Sequence, residues 1–141
     1  MNKAAAAIEV ASELKEIETI RNFIKLNLKT LPATEEEQYQ IELALVEICL
    51  NIIHYAYPHQ KGSIRIRFWT EGPQVFLEIR DRGVPFDPSR SPTPDIKELI
   101  REQRKGGLGI HLSRELMDEF AYRRDGDQNI LLMHKRLSRA Q

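Results

Sequence analysis

Residues 41–57 read IELALVEICLNIIHYAY, and the way this stretch coils decides how the rest of the chain is arranged. At about 3.6 residues per helical turn, Ile41, Ala44, Leu45, Ile48 and Ile52 fall in one apolar stripe. Glu47 and Asn51 lie one above the other on the flank of that stripe. A carboxylate and a carboxamide at i, i+4 can point into one cleft. There the amide oxygen can coordinate a hard cation such as Mg²⁺, and the carboxylate can accept a proton or orient a hydroxyl. The solvent boundary of an ordinary amphipathic helix has the same appearance, so the pair gains meaning only from the glycine motifs further along. The one cysteine, Cys49, lies near the stripe and reads as a core residue.

Working outward, Thr34-Glu35-Glu36-Glu37 is a capping box that starts this helix. Proline at 58 disfavours helical geometry in Tyr57 and ends it. Upstream, Leu14, Ile17, Ile20, Ile24 and Leu28 recur at three and four, which predicts a helix of about five turns with Ser12 as its N-cap. Residues 4–10 read either as a short edge strand or as a frayed terminus. Downstream, Ile64, Ile66 and Phe68 alternate with Arg65 and Arg67. Val75, Leu77 and Ile79 alternate in the same way with Glu78 and Arg80. Glu71-Gly72-Pro73 lies between the two runs, which predicts an antiparallel hairpin with its charges solvated on the wet face.

The second strand runs into Asp81-Arg82-Gly83 and then a segment carrying Pro85, Pro88, Pro92 and Pro94, with a short possible helix over 95–103. So long a proline-rich connection predicts a functional loop or lid, spanning about 84–107. Lys105-Gly106-Gly107-Leu108-Gly109 closes it. Ile110, Leu112, Leu116 and Met117 then suggest a helix. Residues 120–123 and 129–135 suggest strands around an Asp125-Gly126 turn. Two helices, a hairpin, a lid, a helix and a second hairpin predict an α+β domain with helices layered on one face of a mixed sheet.

The 141 residues fit a single domain, 1–141, without disulfide or metal staples. Lys and Arg number 21 and Asp and Glu 21, so no positive field exists to collect nucleic acid or anionic lipid. No apolar run approaches the roughly 20 residues of a membrane span, and MNKAAAAIEV lacks the apolar segment of a signal peptide. A cytoplasmic protein without membrane or direct nucleic-acid binding is expected.

Asp81-x-Gly83 at a strand end has a specific use. A fixed carboxylate can accept from an exocyclic amine such as that of adenine, and a glycine two residues on lets a flat base approach. Gly106-Gly107-x-Gly109 opening a helix frees backbone amides for phosphate oxygens, with Lys105 as a compact cation beside them. It is neither a Walker nor a Rossmann fingerprint.

Glu47-x-x-x-Asn51, Asp81-x-Gly83 and Gly106-Gly107-Leu108-Gly109, in this order and spacing, resemble the N, G1 and G2 boxes of the GHKL ATPase superfamily. Asn51-Ile52-Ile53-His54, Arg82-Gly83-Val84-Pro85-Phe86-Asp87-Pro88 and Gly107-Leu108-Gly109-Ile110 most resemble bacterial anti-sigma factor serine/threonine kinases. The resemblance spans nearly the whole chain and implies the Bergerat fold, a two-layer α/β sandwich on a mainly antiparallel sheet. It implies ATP and Mg²⁺, with Asn51 holding the metal and Glu47 as the catalytic base. Asp81 and Gly83 would hold adenine, and Lys105, Gly106, Gly107, Leu108 and Gly109 the phosphates. His54 reads as a packing and hydrogen-bonding residue. Many family members carry a threonine supporting the adenine aspartate. Asp127-Gln128-Asn129 has none, and Asn129 is the candidate substitute.

The activity so implied is transfer of the ATP γ-phosphate to a serine or threonine of a STAS-domain anti-sigma antagonist, together with sequestration of a sigma factor. The implied assembly is a homodimer joined through exposed apolar residues of the first helix or first hairpin. Two alternatives stand beside it. One is a catalytically inactive, nucleotide-gated binding module, which the missing threonine favours and Glu47 disfavours. The other is a stand-alone ATP-binding subunit of a histidine kinase, which would need a separate partner because the first helix carries no histidine.

Overall fold

The computed structural model describes residues 5–58, 60–85 and 116–138. The lid beyond Pro85, its expected helix over 95–103, the segment from Lys105 to Gly109 and the helix expected from Ile110 lie outside these residues, save for the end of that helix at Leu116.

The capping box is formed as the spacing predicts. Thr34 Oγ1 accepts from the Glu37 backbone N–H at 3.0 Å, and Glu37 Oε1 accepts from the Thr34 N–H at 3.0 Å. Two amides that the helix start would orphan are thereby satisfied. Helix α2 runs Glu35–Asn51 from this cap and passes directly into a π-helical turn, Ile52–Ala56. Ile41, Ala44, Leu45, Ile48 and Ile52 are all buried, as is Cys49.

The first helix differs at its start. Its α-helical part, α1, is Ile17–Leu28, preceded by a tighter 3-10 turn at Leu14–Glu16. Ser12 is not its N-cap. The Ser12 N–H donates to Gly62 O at 2.9 Å and its Oγ accepts from the Gly62 N–H at 3.0 Å. Those bonds extend a strand, β1 (Ala6–Ala11), which pairs with β2 (Ser63–Glu71) and resolves the open reading of this segment in favour of an edge strand. Ile20, Ile24 and Leu28 are buried, while Leu14 is 59% exposed because the 3-10 turn takes it off the stripe.

Strand β3 (Gln74–Asp81) forms the expected hairpin with β2, and β4 (Glu119–Asp125) forms a second with β5 (Gln128–Arg136). Gly72 and Gly126 supply the positive φ angles, 58° and 62°, that the two turns need. The sheet order is β1-β2-β3-β5-β4, and every neighbouring pair is antiparallel. The sheet expected to be mixed is thus wholly antiparallel among the described residues. Both hairpins impose that sense, and the α1–α2 excursion returns the chain beside β1 running the opposite way.

Ile64, Ile66 and Phe68 of β2, Val75, Leu77 and Ile79 of β3, and Leu131 and Met133 of β5 face the helices and form one core with them. The other sheet face is less wet than its charges predict. Glu78 is only 9% exposed, with its carboxylate accepting from Arg67 Nη1 at 3.2 Å and Arg80 Nε at 2.9 Å. Arg67 stands opposite Glu78 on β2 and Arg80 lies two residues along β3 on the same face, so they close over the carboxylate instead of leaving it solvated.

Candidate functional site

The end of α2, its π-helical turn and strands β3, β4 and β5 surround a pocket. Ile48, Ile52, Ala56, Ile79 and Leu131 give it apolar walls, and Asn51, Asp81, Tyr122 and Asn129 supply its polar groups. Mostly apolar walls with a few polar groups are what a flat heterocycle needs: surface to bury and fixed partners to orient it.

Asp81 is the charge in this pocket and is 7% exposed. Its Oδ1 accepts from the Gly83 N–H at 2.8 Å and from Asn129 Nδ2 at 2.8 Å. Burial pushes its carboxyl above the ordinary carboxylate value, against the pull of those two hydrogen bonds and of the Arg124 guanidinium. The position is set by register, since Asp81 of β3 stands opposite Asn129 of β5.

Gly83 serves this turn in a way that composition does not reveal. A Cβ there would lie 2.2 Å from Ala56 O and 2.5 Å from Ala56 Cβ, so the glycine lets the chain pass against the π-helical turn. Ala56 O then accepts from the Val84 N–H at 2.8 Å. Tyr57 braces the same corner, its hydroxyl donating to Ser63 O at 2.7 Å and accepting from the Arg82 N–H at 2.8 Å.

Asn51 is 2% exposed, and its Nδ2 donates to Glu47 O at 2.8 Å. This bond fixes which end of the amide is nitrogen and leaves the carbonyl oxygen, a hard donor suited to Mg²⁺, as the other end. Among the described residues no group of three His, Cys, Asp or Glu side chains is placed to hold a metal. A cation here would therefore be held by Asn51 together with ligand phosphates, the usual habit of Mg²⁺. Glu47 lies one turn before Asn51, half-buried and outside the pocket lining. Burial pushes its carboxyl up, with the charge of Arg21 opposing.

Asn51 and Asp81 thus share one pocket, Gly83 and Glu47 stand beside it, and Lys105, Gly106, Gly107, Leu108 and Gly109 lie outside the described residues. His54 is exposed and tilted against the Tyr55 ring, not packed. The π-helical turn explains the change, because it breaks the 3.6-residue period that would align residue 54 with Asn51. Two residues of the site escaped the sequence reading, Tyr122 and Arg124. Tyr122 Oη donates to Asn129 Oδ1 at 2.6 Å, and Arg124 Nη1 reaches Asn129 Oδ1 at 3.2 Å and Gly83 O at 2.8 Å. Their alternation along β4 places them on the inner face. No motif marks them.

A family model described as the histidine kinase-like ATPase domain matches residues 10–135. The chain is 30% identical over 96 residues to the serine-protein kinase RsbW of Bacillus cereus (strain AH187), an alignment covering 65% of this chain and 60% of that one. The RsbW of Bacillus anthracis gives the same identity and coverage. The chain therefore spans about three-fifths of the length of these curated relatives. In fold it is similar to the crystal structure of the RsbU and RsbW domains of Rv1364c from Mycobacterium tuberculosis, with a TM-score of 0.65 at 15% identity, covering 96% of this chain and 33% of that one. The order of helix, pocket and antiparallel sheet agrees with the match along the sequence, and the chain belongs to the histidine kinase-like ATPase domain family.

Proposed function

We propose that the chain is an ATP-dependent serine/threonine kinase of the anti-sigma type, a single domain over residues 1–141 with its lid at about 84–107. The observation that carries the reading is the meeting of Asn51 and Asp81 in one apolar-walled pocket. The two residues come from a helix and a strand 30 positions apart, and the nucleotide-site reading assigns them to opposite ends of one ligand.

In this reading Asp81 accepts from the base, and Lys105, Gly106, Gly107, Leu108 and Gly109 hold the phosphates. Asn51 Oδ1 holds Mg²⁺, whose contribution when bound is to neutralise phosphate charge. Glu47 takes the proton of the attacking hydroxyl while that oxygen bonds to the γ-phosphorus and the bond to the ADP oxygen breaks. A carboxyl raised by burial is better matched to that proton than a solvated one. The phosphate acceptor is a serine or threonine of a STAS-domain antagonist, and the sequestered partner is a sigma factor. The kinase works in the cytoplasm as a homodimer. The similarity to proteins named serine-protein kinases supports the chemistry. Asn129 gives Asp81 the bond that the missing threonine would give, which supports the kinase reading over a nucleotide-gated module without kinase activity.

The test is ATP titration with and without Mg²⁺, followed by incubation with radiolabelled ATP and STAS-domain proteins. Asn51→Ala is expected to abolish Mg²⁺-dependent binding with the fold intact. Glu47→Ala is expected to bind normally and lose transfer by at least about a hundredfold, as for loss of a general base. Normal transfer by the Glu47 variant would refute its role as base, and unchanged ATP affinity in the Asn51 variant would remove Asn51 from the metal site.

A further inference from the structure

Behind Asp81, on the sheet face turned away from the helices, lies a second recess. Glu9 of β1, Ser63 and Arg65 of β2, Arg80 of β3, Arg82 just beyond that strand and Gln128 of β5 line it. Strand alternation brings them together. Ile64 and Ile66 are buried against the helices, so Arg65 between them faces out, and Arg80 and Arg82 flank the buried Asp81. Asp81 belongs to both linings, so the recess and the nucleotide pocket are two sides of one strand end.

The register sets Arg65 of β2 directly opposite Arg80 of β3. Like charges in that relation destabilise a sheet when nothing lies between them. The next outward pair, Arg67 opposite Glu78, is attractive instead. Neighbouring acids hold the three arginines of the recess unequally. Arg80 is fixed: its Nε and Nη2 donate to Glu78 Oε1 and Oε2 at 2.9 and 3.4 Å, and its Nη1 to Gln128 Oε1 at 3.4 Å. Arg65 comes only within 3.9 Å of Glu9, and Arg82 only within 3.9 Å of Asp127, with all four side chains more than half exposed. Those separations are too long for hydrogen bonds, and neither guanidinium donates one to any described residue.

One fixed guanidinium with an unbonded one on either side, set in a concave wall, suits a ligand with several charged oxygens. Guanidinium forks pair two N–H groups with two oxygens, and a phosphoryl group carries three oxygens for such forks to share. Its charge would turn the opposition of Arg65 and Arg80 into a bridge. The strand end is braced for the task, because the Arg82 N–H is held by the Tyr57 hydroxyl at 2.8 Å.

We propose that Arg65, Arg80 and Arg82 form a phosphoryl-binding site on the outer face of the sheet, taking free phosphate or a phosphomonoester. It is independent of the kinase reading, since it uses neither Glu47, Asn51 nor the segment from Lys105 to Gly109.

The probes are inorganic phosphate and the N-acetyl amide of phosphoserine, titrated into the full chain at an ionic strength held constant with chloride. Nitrogen-15 NMR of the arginine Nε–H groups is expected to show saturable shifts at Arg65, Arg80 and Arg82, with half-saturation at about 1 mM, as two charge-assisted hydrogen bonds would give. Arg123 is the internal control. It is exposed and loosely paired with Asp125 at 3.8 Å, but lies outside the recess, and no shift is expected there. By linkage, about 50 mM phosphate should raise the folding equilibrium constant about fiftyfold in urea denaturation. Arg65→Gln and Arg82→Gln should each weaken phosphate binding at least about tenfold and cut that rise to about sixfold or less, while Arg123→Gln keeps it. Without phosphate, Arg65→Gln should unfold at the same urea concentration as the unmodified chain or a higher one, because the like-charge pair is gone. Tighter binding of the phosphoserine amide than of phosphate would identify a phosphorylated side chain as the ligand's source. Equal or weaker binding would identify the free ion, and both results support the site.

Shifts that grow without saturating, or that appear equally at Arg123, would show ionic screening alone and overturn the proposal. Stabilisation by phosphate that Arg65→Gln and Arg82→Gln leave intact would place the anion elsewhere, the nucleotide pocket included, and overturn it too. So would a loss of stability in phosphate-free Arg65→Gln, which would mean that the arginine pair is already satisfied within the protein.

Discussion

Glu37 and Asp81 are both buried carboxylates, and their surroundings push them in opposite directions. For Glu37, burial raises the carboxyl, but the hydrogen bonds from Thr34 and Ser138 outweigh it and hold the group below its ordinary value of 4.5. The Ser138 N–H reaches Glu37 Oε2 at 2.8 Å, so one side chain both caps α2 and anchors the chain just past β5. A depressed carboxylate contributes stability that is complete above pH 4.5 and is lost as pH falls through its lowered folded value. Glu37→Gln turns one acceptor oxygen into a donor facing a backbone N–H. It should cost about 1–3 kcal/mol at pH 7. Urea midpoints measured from pH 7 downward should show the gap to the unmodified chain narrowing in acid. A gap independent of pH would mean that charge is not the cause. Asp81 has the reverse sign: its raised carboxyl is a cost of ionisation in the folded state, relieved as pH falls through the raised value. At this scale the sequence was half legible. The capping box announced the Thr34 bond, but Ser138 is 101 residues away and no local pattern could announce it. Gly83 was legible as a required glycine, while the neighbour that requires it, Ala56, was not. Gly83→Ala should cost about 1–3 kcal/mol through overpacking against that backbone carbonyl. Unfolding at unchanged denaturant concentration would show that the turn has room to yield.

The elements that alternate or repeat strictly were the ones the sequence announced. Both hairpins follow from period-2 patterning around glycine turns, and α2 from its stripe and cap. Three features were hidden because each depends on a partner distant in sequence. The alanine-rich β1 is a strand only because β2 offers it an edge. The start of α1 is displaced because Ser12 bonds Gly62. The π-helical turn after Asn51 gives no signal of its own, yet it presents Ala56 O to the Val84 N–H and brings Tyr57 to the corner between β2 and β3. Such widened turns recur at functional sites because they re-aim the residues that follow. Tyr57 also covers Gly62, where a Cβ would fall 2.1 Å from its ring. Tyr57→Phe should keep that packing and remove both hydroxyl bonds, costing about 1 kcal/mol, since Arg82 is exposed and water can replace part of what is lost. Chemical denaturation should show a lower midpoint with an unchanged slope. Because the lost bond holds the residue after Asp81, ATP affinity should fall as well, and a variant with normal stability and normal affinity would deny Tyr57 its bracing role.

Across the whole molecule, the two sheet faces are used differently. The helices cover one, and the other is covered by its own side chains. There Trp69 stacks on Phe76 at 5.3 Å, Phe76 meets His134 at 5.2 Å, and Arg67 lies 5.1 Å over the Trp69 ring. The pocket belongs to the covered face at the end where α2 gives out, and its lining draws on α2, the π-helical turn and three strands. A ligand there is held by most of the fold at once, so its binding free energy is linked to global unfolding and not to a local hinge. With Asn51 and Asp81 in the described core, the nucleotide reading predicts that MgATP at a hundred times its Kd stabilises the chain by about 2.7 kcal/mol. For a chain of this length that is a rise in Tm of about 5–15 °C. The rise should be smaller with ATP and EDTA, because Asn51 then has no metal to hold. Asn51→Ala should show the EDTA-like rise whether or not Mg²⁺ is present. That pattern separates a metal-bridged nucleotide from one held by its base alone, where the unmodified chain and the variant would respond identically to Mg²⁺. Equal rises in all four combinations would mean that no metal contributes to binding, and an Mg²⁺-dependent rise retained in Asn51→Ala would place the metal elsewhere, either result leaving Asp81 as the contact that the base requires.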